Sequence, residues 1–432
     1  MHTQSPKVNI FLFLLLTFAT NCGNPDSGAG TQVRGEVFSS TVGQSDSEIV
    51  GQSNSSTVGQ LEERRILPAA YHTERYLPAL TGQRLALLVN QTSTLGDVHL
   101  VDTLVSLGLD VRKIFAPEHG FRGSADAGAK IRDGRDVATG LPIRSLYGKS
   151  KKPSTADLAD VDVVVFDVQD VGARFYTYIS SLFYVLEAAG EQGKKVVVLD
   201  RPNPNGHYVD GPVLQPGAES FVGIAPIPVV HGLTVGEFAR MAVGEGWLKG
   251  GVQPELEIIT MPGYTHATPY ELPVAPSPNL PNQRSIYLYP SLCFFEGTVV
   301  SVGRGTATQF QVYGHPELSY GDYNFTPVSG PGSKYPKLEN KRCRGESFVS
   351  VPASQLFTPG RLDLGPLLRS YRSLTDANVN FFDRPDFFDL LAGGPGLREA
   401  ILRGKTEAQI RAGWAVELAE YRTMRERYLL YP

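Results

Sequence analysis

Four short apolar runs, each ending in a polar turn, constrain the fold of this 432-residue chain most strongly. They cover residues 84–90, 111–115, 161–167 and 195–200. Helical spacing follows the first and third runs, at 99–108 and 176–190. This order is typical of a parallel sheet covered by helices, and uninterrupted apolar strands indicate burial on both faces. The sequence therefore predicts an α/β, Rossmann-like catalytic domain over residues 65–212.

The second half of the chain has a different composition, rich in Pro, Gly and Tyr. It predicts short strands at 257–260 and 298–302 and a C-terminal helix at 406–428. Residues 224–230 can still belong to the first sheet. We expect residues 213–432 to form a smaller α+β C-terminal domain that completes a cleft.

Several common cofactor and catalytic motifs are absent from the sequence. No G-x-G-x-x-G follows a predicted strand, and the first turn, Asn90-Gln91-Thr92-Ser93, has no glycine to admit a pyrophosphate. Neither a P-loop, an H-E-x-x-H motif nor a G-x-S-x-G elbow is present. We therefore expect no nucleotide site, no cofactor and no metal.

Net charge and cysteine content limit the classes of partner and of covalent cross-link that the chain can have. A net charge of −4 without a block of like charges argues against a nucleic-acid partner. Beyond the N-terminal region only Cys293 and Cys343 occur, which can form one disulfide or remain two buried thiols.

The N-terminus predicts export to the cell envelope. The apolar run at 10–16 is too short to span a bilayer, and Cys22 follows it as in a bacterial lipoprotein signal. Residues 1–22 are therefore predicted to be a signal peptide, and lipidated Cys22 a membrane anchor for a periplasmic or outer-membrane-anchored lipoprotein. A secreted product without lipid is the alternative. Residues 23–64 are rich in Ser, Gly and Gln and predict a disordered tether.

Polar side chains follow each predicted strand, at the edge of a parallel sheet where ligands bind. They are Asn90 and Gln91; Glu118, His119 and Arg122; Asp167, Gln169, Asp170 and Arg174; and Asp200, Arg201, Asn203 and Asn205. Helix capping can explain some of the Asp and Asn residues, but it explains Glu118 less well because Glu is a poor N-cap. Glu118 and His119 are thus placed where chemistry is usually done.

The second half adds further candidates. Prolines at 278 and 281 restrict a loop that presents Asn279 and Asn282. Glu296 lies between aromatic residues and a turn, and burial there would favour its protonated, general-acid form. Arg304 can bind an anionic ligand or pair with Glu296. Carboxylates, amides, aromatics and arginines suit a polyhydroxyl ligand with an anionic group.

Five motifs, taken together, resemble one family. They are Phe-Ala-Pro-Glu-His-Gly-Phe-Arg-Gly at 115–123, Asp-Val-Gln-Asp-Val-Gly-Ala-Arg-Phe-Tyr-Thr-Tyr at 167–178, Asp-Arg-Pro-Asn-Pro-Asn-Gly at 200–206, Ser-Pro-Asn-Leu-Pro-Asn at 277–282 and Phe-Glu-Gly-Thr at 295–298. The chain from about residue 65 to 432 is similar to the exo-β-N-acetylmuramidases of the NamZ type, glycoside hydrolases of peptidoglycan turnover.

The resemblance implies removal of a terminal, non-reducing β-1,4-linked N-acetylmuramic acid from peptidoglycan fragments such as MurNAc-GlcNAc and muropeptides. It implies that Glu118 and His119 handle the proton and that Glu296 is the best second carboxylate. Arg174, Arg201 or Arg304 would bind the lactyl carboxylate. The predicted substrate-binding residues are Asn90, Gln91, Arg122, Asp167, Gln169, Arg174, Tyr176, Asn203, Asn205, His231, Asn279, Asn282 and Arg304.

The course of the reaction stays open at this point. With Glu296 or Asp167 as partner of Glu118, a carboxyl separation of about 5 Å indicates retention and roughly 6.5–9.5 Å inversion. The acetamide of the sugar can also serve as nucleophile. A lipid-anchored muropeptide- or sugar-binding protein without turnover is the main alternative function, and a peptidoglycan esterase or amidase is a third.

Overall fold

The computed structural model describes residues 66–121 and 132–432. The predicted signal peptide with Cys22, the tether and Arg122 lie outside the described residues.

Strands in the described part of the chain are short. In chain order they are β1 (Arg84–Val89), β2 (Thr94–Leu95), β3 (Val98–His99), β4 (Asp110–Ala116), β5 (Gly134–Arg135), β6 (Pro142–Ser145), β7 (Val163–Asp167), β8 (Lys195–Leu199), β9 (Asp210–Val213), β10 (Pro228–Val230), β11 (Glu255–Ile259), β12 (Val312–His315), β13 (Tyr323–Phe325) and β14 (Cys343–Ser347).

A seven-stranded sheet organises the molecule, in the order β11-β8-β7-β1-β4-β6-β5. Its pairs are parallel, except that β5 runs antiparallel to β6 at one edge. The central strand β1 pairs with β4 on one side and with β7 on the other. The chain thus extends the sheet in one direction and then in the other, which creates a switch point at the carboxyl end of β1. The predicted α/β class is confirmed.

Both faces of this sheet are buried, as the uninterrupted apolar strands predict. Ala86 and Leu88 of β1 belong to one core, whereas Leu85, Leu87 and Val89 belong to the core on the opposite face. This alternation follows from the two-residue period of a strand. Side chains therefore reach a ligand only beyond the strand ends, in the connecting loops.

Helices cover the sheet and build the second half. They are α1 (Thr73–Leu80), α2 (Leu100–Ser106), α3 (Thr155–Leu158), α4 (Tyr178–Glu191), α5 (Val235–Gly244), α6 (Gln283–Leu292), α7 (Ala353–Phe357), α8 (Gly365–Asp376), α9 (Pro385–Ala392), α10 (Gly396–Leu402) and α11 (Glu407–Glu426). Short 3₁₀ helices lie at Ala69–Tyr71, Lys249–Gly251 and Cys293–Gly297. The three predicted helices correspond to α2, α4 and α11.

The second half contains a three-stranded antiparallel sheet, β12-β14-β13, together with α6 to α11. The strand predicted at 257–260 is present as β11, but it joins the parallel sheet beside β8. β10 pairs with β9 in a separate antiparallel ribbon, so residues 224–230 do not extend the first sheet. The domain boundary at residue 212 stays a prediction.

The prediction of a strand at 298–302 is wrong. This segment makes an isolated bridge between Ser301 and Gly314, and the amide of Val299 bonds instead to the carbonyl of Phe381. Its backbone groups are thus satisfied one at a time by different partners, which a local apolar pattern does not reveal.

Cys293 and Cys343 are both buried free thiols, so the disulfide alternative is not realised. Among the described helices, none combines the length and the apolar character needed to cross a membrane.

Candidate active site

A cavity of about 70 Å³ lies at the carboxyl end of the parallel sheet, between the sheet and the loops of the second half. Two segments of the first half and three of the second meet there. Its lining residues are Glu118, His119, Phe175, Tyr176, Thr177, Ser277, Asn279, Leu280, Tyr289, Arg304 and Phe310. Five residues predicted for the site thus come together: Glu118, His119, Tyr176, Asn279 and Arg304.

Glu118 is held at both carboxyl oxygens. It follows β4, and its Oε1 accepts a 2.8 Å hydrogen bond from the hydroxyl of Tyr147. Its Oε2 accepts a 2.7 Å bond from Oγ1 of Thr177, the residue before α4. These two bonds fix the plane of the carboxyl group beside the cavity.

His119 occupies the same tight turn as Glu118. The amide of Gly120 donates to the carbonyl of Pro117, and His119 itself has φ 69°. A side chain in this left-handed region is uncommon and costs free energy, and such residues cluster at functional sites. The turn thus brings both His119 and Glu118 into the lining of the cavity.

Tyr147 was not among the predicted site residues. It follows β6, which pairs in parallel with β4, so both residues emerge at the same edge of the sheet. Burial, reinforced by the charge of Glu118, raises the pKa of the Tyr147 phenol above its ordinary value. The phenol therefore stays protonated and donates to Glu118 at neutral pH. The strand before it, Pro-Ile-Arg-Ser, is not an apolar run, so the sequence did not mark Tyr147 as a residue at the sheet edge.

Aromatic rings form one wall of the cavity. The Tyr289 ring contacts Phe175, Tyr176 and Phe310 edge to face, at centroid distances of 5.3, 5.7 and 5.1 Å. The hydroxyl of Tyr176 is buried in this wall, beside the side chains of Ser277 and Tyr178. An apolar wall with a few polar groups is typical of a small-molecule site. Tyr289 and Phe310 carried no recognisable sequence signal.

The two Asn side chains of the proline-bounded loop have different roles: Asn279 lines the cavity, and Asn282 caps a helix. Asn279 lines the cavity, and its Nδ2 donates to the carbonyl of Gly332 at 2.8 Å. Asn282 caps α6 instead: its Oδ1 accepts from the amide of Ser285, and its Nδ2 donates to Oε1 of Gln311. Asn282 is not among the cavity residues.

Glu296 is paired with Arg304, which is one of the two roles that the sequence allowed for Arg304. Nε of Arg304 donates to Oε1 of Glu296 at 2.8 Å. Burial raises the pKa of Glu296, but Arg304, Lys337 and Arg384 outweigh it and hold that pKa below its ordinary value. The expectation of a protonated Glu296 in apolar surroundings is therefore wrong. Arg304 lines the cavity, whereas Glu296 is not among the lining residues.

The two residues after β1 brace neighbouring loops. Oδ1 of Asn90 accepts from both the amide and the hydroxyl of Thr92, at 2.9 and 2.6 Å. Nε2 of Gln91 donates to the carbonyls of Ala275 and Pro276, at the start of the loop that carries Asn279. Gln91 thereby joins the sheet to the second half.

Asp167 and Arg201 form a buried ion pair between the ends of β7 and β8. Nε and Nη2 of Arg201 donate to the two carboxyl oxygens of Asp167, at 2.6 and 2.9 Å. The Asp167 side chain has no exposed surface. Neither residue is among those that line the cavity.

Arg174 is also committed to the interior. Its Nη1 donates to the carbonyls of Pro212 and Ile227, and its Nη2 to that of Leu391. His231 is fully buried, with Nδ1 accepting from the amide of Leu233. Both residues thus stabilise loops away from the cavity.

The three amides that follow β7 and β8 bond to the main chain. Gln169 donates to the carbonyls of Asp170 and Pro202, and Asn203 to that of Leu233. Asn205 donates to the carbonyls of Val171 and Ile286. None of these three buried residues lines the cavity. Their role in substrate binding stays a prediction.

Within residues 66–121 and 132–432, no group of three His, Cys, Asp or Glu side chains is arranged to hold a metal ion. A reaction without a metal or cofactor stays a prediction.

Known proteins match the chain over nearly its whole described length. Residues 85–284 match the N-terminal domain of exo-beta-N-acetylmuramidase NamZ, and residues 287–431 match its C-terminal domain. The peptidoglycan beta-N-acetylmuramidase NamZ of Bacillus subtilis (strain 168) is 34% identical in an alignment of 382 residues that covers 82% of this chain and 89% of that protein.

Two crystal structures of DUF1343 family proteins from Bacteroides fragilis NCTC 9343 share the fold. One is 43% identical with a TM-score of 0.78, covering 85% of this chain and 99% of that chain. The other is 27% identical with a TM-score of 0.73, covering 85% and 100%. The matched domains and the identity to the Bacillus protein show that this chain belongs to the exo-beta-N-acetylmuramidase NamZ family.

Proposed function

We propose that the protein is a glycoside hydrolase that releases terminal, non-reducing β-1,4-linked N-acetylmuramic acid from peptidoglycan fragments. Membership of the NamZ family supports this activity, as does the similarity to the Bacillus relative, a peptidoglycan beta-N-acetylmuramidase. The observation that carries the proposal is the placement of Glu118. A carboxyl group oriented by two hydroxyls borders a cavity with an aromatic wall at the switch point of the sheet.

In this proposal, Glu118 acts on the glycosidic oxygen. Protonation of that oxygen by a positioned carboxyl group assists departure of the leaving sugar as the oxocarbenium-like transition state forms. His119 lies beside Glu118 in the wall and shares the handling of the proton. The aromatic wall and the Tyr176 hydroxyl bind the sugar ring.

Among the described cavity residues, Glu118 is the one that carries a carboxyl group. Asp167 and Glu296, the predicted partners, are bonded to Arg201 and Arg304. This arrangement supports a reaction assisted by the acetamide of the sugar, whose carbonyl oxygen would attack the anomeric carbon. Proton NMR of the first-formed sugar tests this course: assistance, like a carboxylate nucleophile, gives retention of the β configuration, whereas direct attack by water gives inversion and would contradict the proposal.

Hydrolysis of a chromogenic β-N-acetylmuramide, beside the matching β-N-acetylglucosaminide, tests the activity. We expect release from the muramide and liberation of N-acetylmuramic acid from the disaccharide MurNAc-GlcNAc. Binding of the disaccharide without release would instead favour the alternative of a muropeptide- or sugar-binding protein. Loss of acetyl or peptide groups with the glycosidic bond intact would favour the esterase or amidase.

We also infer that Cys22 carries a lipid that anchors the protein to a membrane of the cell envelope through the 23–64 tether. The apolar run at 10–16 followed by Cys22 supports this inference. Metabolic labelling with an alkyne fatty acid should tag the wild type and not the Cys22→Ser variant. Equal labelling of both proteins, or labelling of neither, would contradict lipidation at this residue.

A further inference from the structure

The Arg304 guanidinium is held in place before any ligand arrives. Its Nε donates to Glu296, and its Cζ lies 4.9 Å from the centroid of the Phe310 ring. Gly303 and Gly305 on either side have φ 75° and 78°, and a Cβ on Gly305 would lie 2.4 Å from the carbonyl oxygen of Val328. The backbone, a carboxylate and a ring together fix the orientation of the guanidinium.

The outer nitrogens of Arg304 remain available. A guanidinium has five N–H donors, and the bond to Glu296 uses the one on Nε. No other described residue forms a hydrogen bond with Nη1 or Nη2, and the side chain, 22% exposed, borders the cavity. Two NH₂ groups in a fixed fork match the geometry of a carboxylate.

The charge around Arg304 also favours an anion. Arg304, Lys337 and Arg384 all act on Glu296, while Lys337 lies 3.7 Å from the carboxylate of Asp383. Three cations thus share Glu296, so the Arg304 charge is only partly offset by its carboxylate. The Arg304 charge attracts a negatively charged group that enters the cavity beside it.

The other two candidate arginines cannot serve in the same way. Arg174 donates through both Nη atoms to main-chain carbonyls, and Arg201 is bidentate to Asp167. Both lie in the interior, outside the residues that line the cavity. Of the three arginines, Arg304 is the one that a sugar in the cavity reaches.

We propose that Arg304 binds the lactyl carboxylate of N-acetylmuramic acid, and that Glu296 is the positioning residue that holds Arg304 rather than a second catalytic carboxylate. This inference rests on the proposed muramidase activity. It assigns the two ends of the site: the glycosidic bond lies at Glu118 and the anionic substituent at Arg304.

Kinetics on a matched pair of substrates test the proposal. The pair is a chromogenic β-N-acetylmuramide and its lactyl methyl ester, which differ in one negative charge. We expect the wild type to prefer the free acid, and Arg304→Met to lose that preference mainly through a KM for the acid raised roughly 10- to 100-fold. Arg304→Lys should recover part of it, and Arg342→Met, at an exposed arginine, should match the wild type.

Glu296→Gln separates positioning from catalysis. A positioning role predicts a weaker preference for the free acid, with kcat on either substrate within about tenfold of the wild type. A fall in kcat of about 10³-fold or more on both substrates would instead make Glu296 catalytic. Unchanged preference in Arg304→Met would overturn the role of Arg304.

The outcomes separate this inference from the proposed function. If the wild type hydrolyses no muramide, the proposed function fails; if it does and the variants keep its preference, only the inference fails. Should Arg304→Met not fold, inhibition of the wild type and of Arg304→Lys by free N-acetylmuramic acid and its methyl ester gives the same comparison. Equal inhibition of the wild type by both sugars would overturn the proposal.

Discussion

Thr177 Oγ1 donates a 2.7 Å hydrogen bond to Glu118 Oε2, and this bond joins the loop after β4 to the start of α4. Thr177 occupies the N-cap position of α4, yet its side chain makes no capping bond to the helix backbone. It serves Glu118 instead. The carboxyl group thus lies beside the first turn of a 14-residue helix.

Replacement of Glu118 tests its proposed catalytic role. Glu118→Gln keeps the shape of the side chain but cannot transfer a proton, so we expect kcat on the muramide to fall by roughly 10²- to 10⁴-fold. Initial rates with the chromogenic substrate measure the effect. Glu420→Gln, at an exposed residue of α11, is the matched control and should leave the rate unchanged. Full activity of Glu118→Gln would refute the assignment.

The hydroxyls that hold Glu118 provide a second prediction. Tyr147→Phe and Thr177→Val each remove one hydrogen-bond donor to the carboxyl group, and we expect each to lower kcat/KM by roughly three- to tenfold. Tyr184→Phe is a suitable control because Tyr184 stacks on Phe221 and does not line the cavity. Rates equal to the wild type in both variants would show that the orientation of Glu118 does not depend on these bonds.

The sheet and the position of Glu118 were predictable because they depend on local sequence. An apolar run of strand length specifies a strand buried on both faces, and a Glu directly after it has no good structural explanation as a cap. Glu118 satisfied both conditions, and it lines the cavity. Asn279 was likewise favoured by the prolines that restrict its loop.

The remaining site residues depend on contacts between distant segments. An amide after a strand can face a ligand or bond to a neighbouring carbonyl, and Asn205 bonds to the carbonyls of Val171 and Ile286. Likewise, Phe310 comes from a loop far along the chain and has φ 54°. Its contact with Tyr289 arises only when the second half folds against the sheet. No local sequence pattern indicates these contacts between distant segments.

The buried pair of Asp167 and Arg201 leads to a prediction about stability. Asp167→Asn leaves the Arg201 charge without its partner in the interior, so we expect a loss of roughly 3–5 kcal/mol in the free energy of unfolding. Urea unfolding monitored by circular dichroism measures the loss. If Asp167 binds substrate instead, the variant will keep its stability and show a raised KM.

We expect Asp170 and His231 to make the free energy of unfolding depend on pH in opposite directions. His231 Nε2 lies 3.8 Å from Asp170 Oδ2, and both side chains are buried. Burial, with Arg425 and Arg174 nearby, lowers the pKa of His231 to about 3, from an ordinary 6.5. Burial raises the pKa of Asp170 to about 7, from an ordinary 3.8. Both residues are thus uncharged in the folded protein under mildly acidic conditions.

The sign of each contribution follows from proton uptake. Between pH 3 and 6.5, unfolding lets His231 bind a proton, so its contribution to the free energy of unfolding rises with pH. Between pH 3.8 and 7, unfolding makes Asp170 release a proton, so its contribution falls as pH rises. Each slope is at most about 1.4 kcal/mol per pH unit, and the two oppose each other where the ranges overlap.

Two substitutions separate these slopes. We expect the free energy of unfolding of His231→Gln to decline with rising pH relative to the wild type, because the Asp170 contribution remains. That of Asp170→Asn should increase relative to the wild type, because the His231 contribution remains. Urea unfolding at pH 4.5, 5.5 and 6.5 compares slopes, so a constant loss of stability in either variant does not affect the result. Slopes parallel to the wild type in both variants would show that neither group changes its protonation on unfolding in this range.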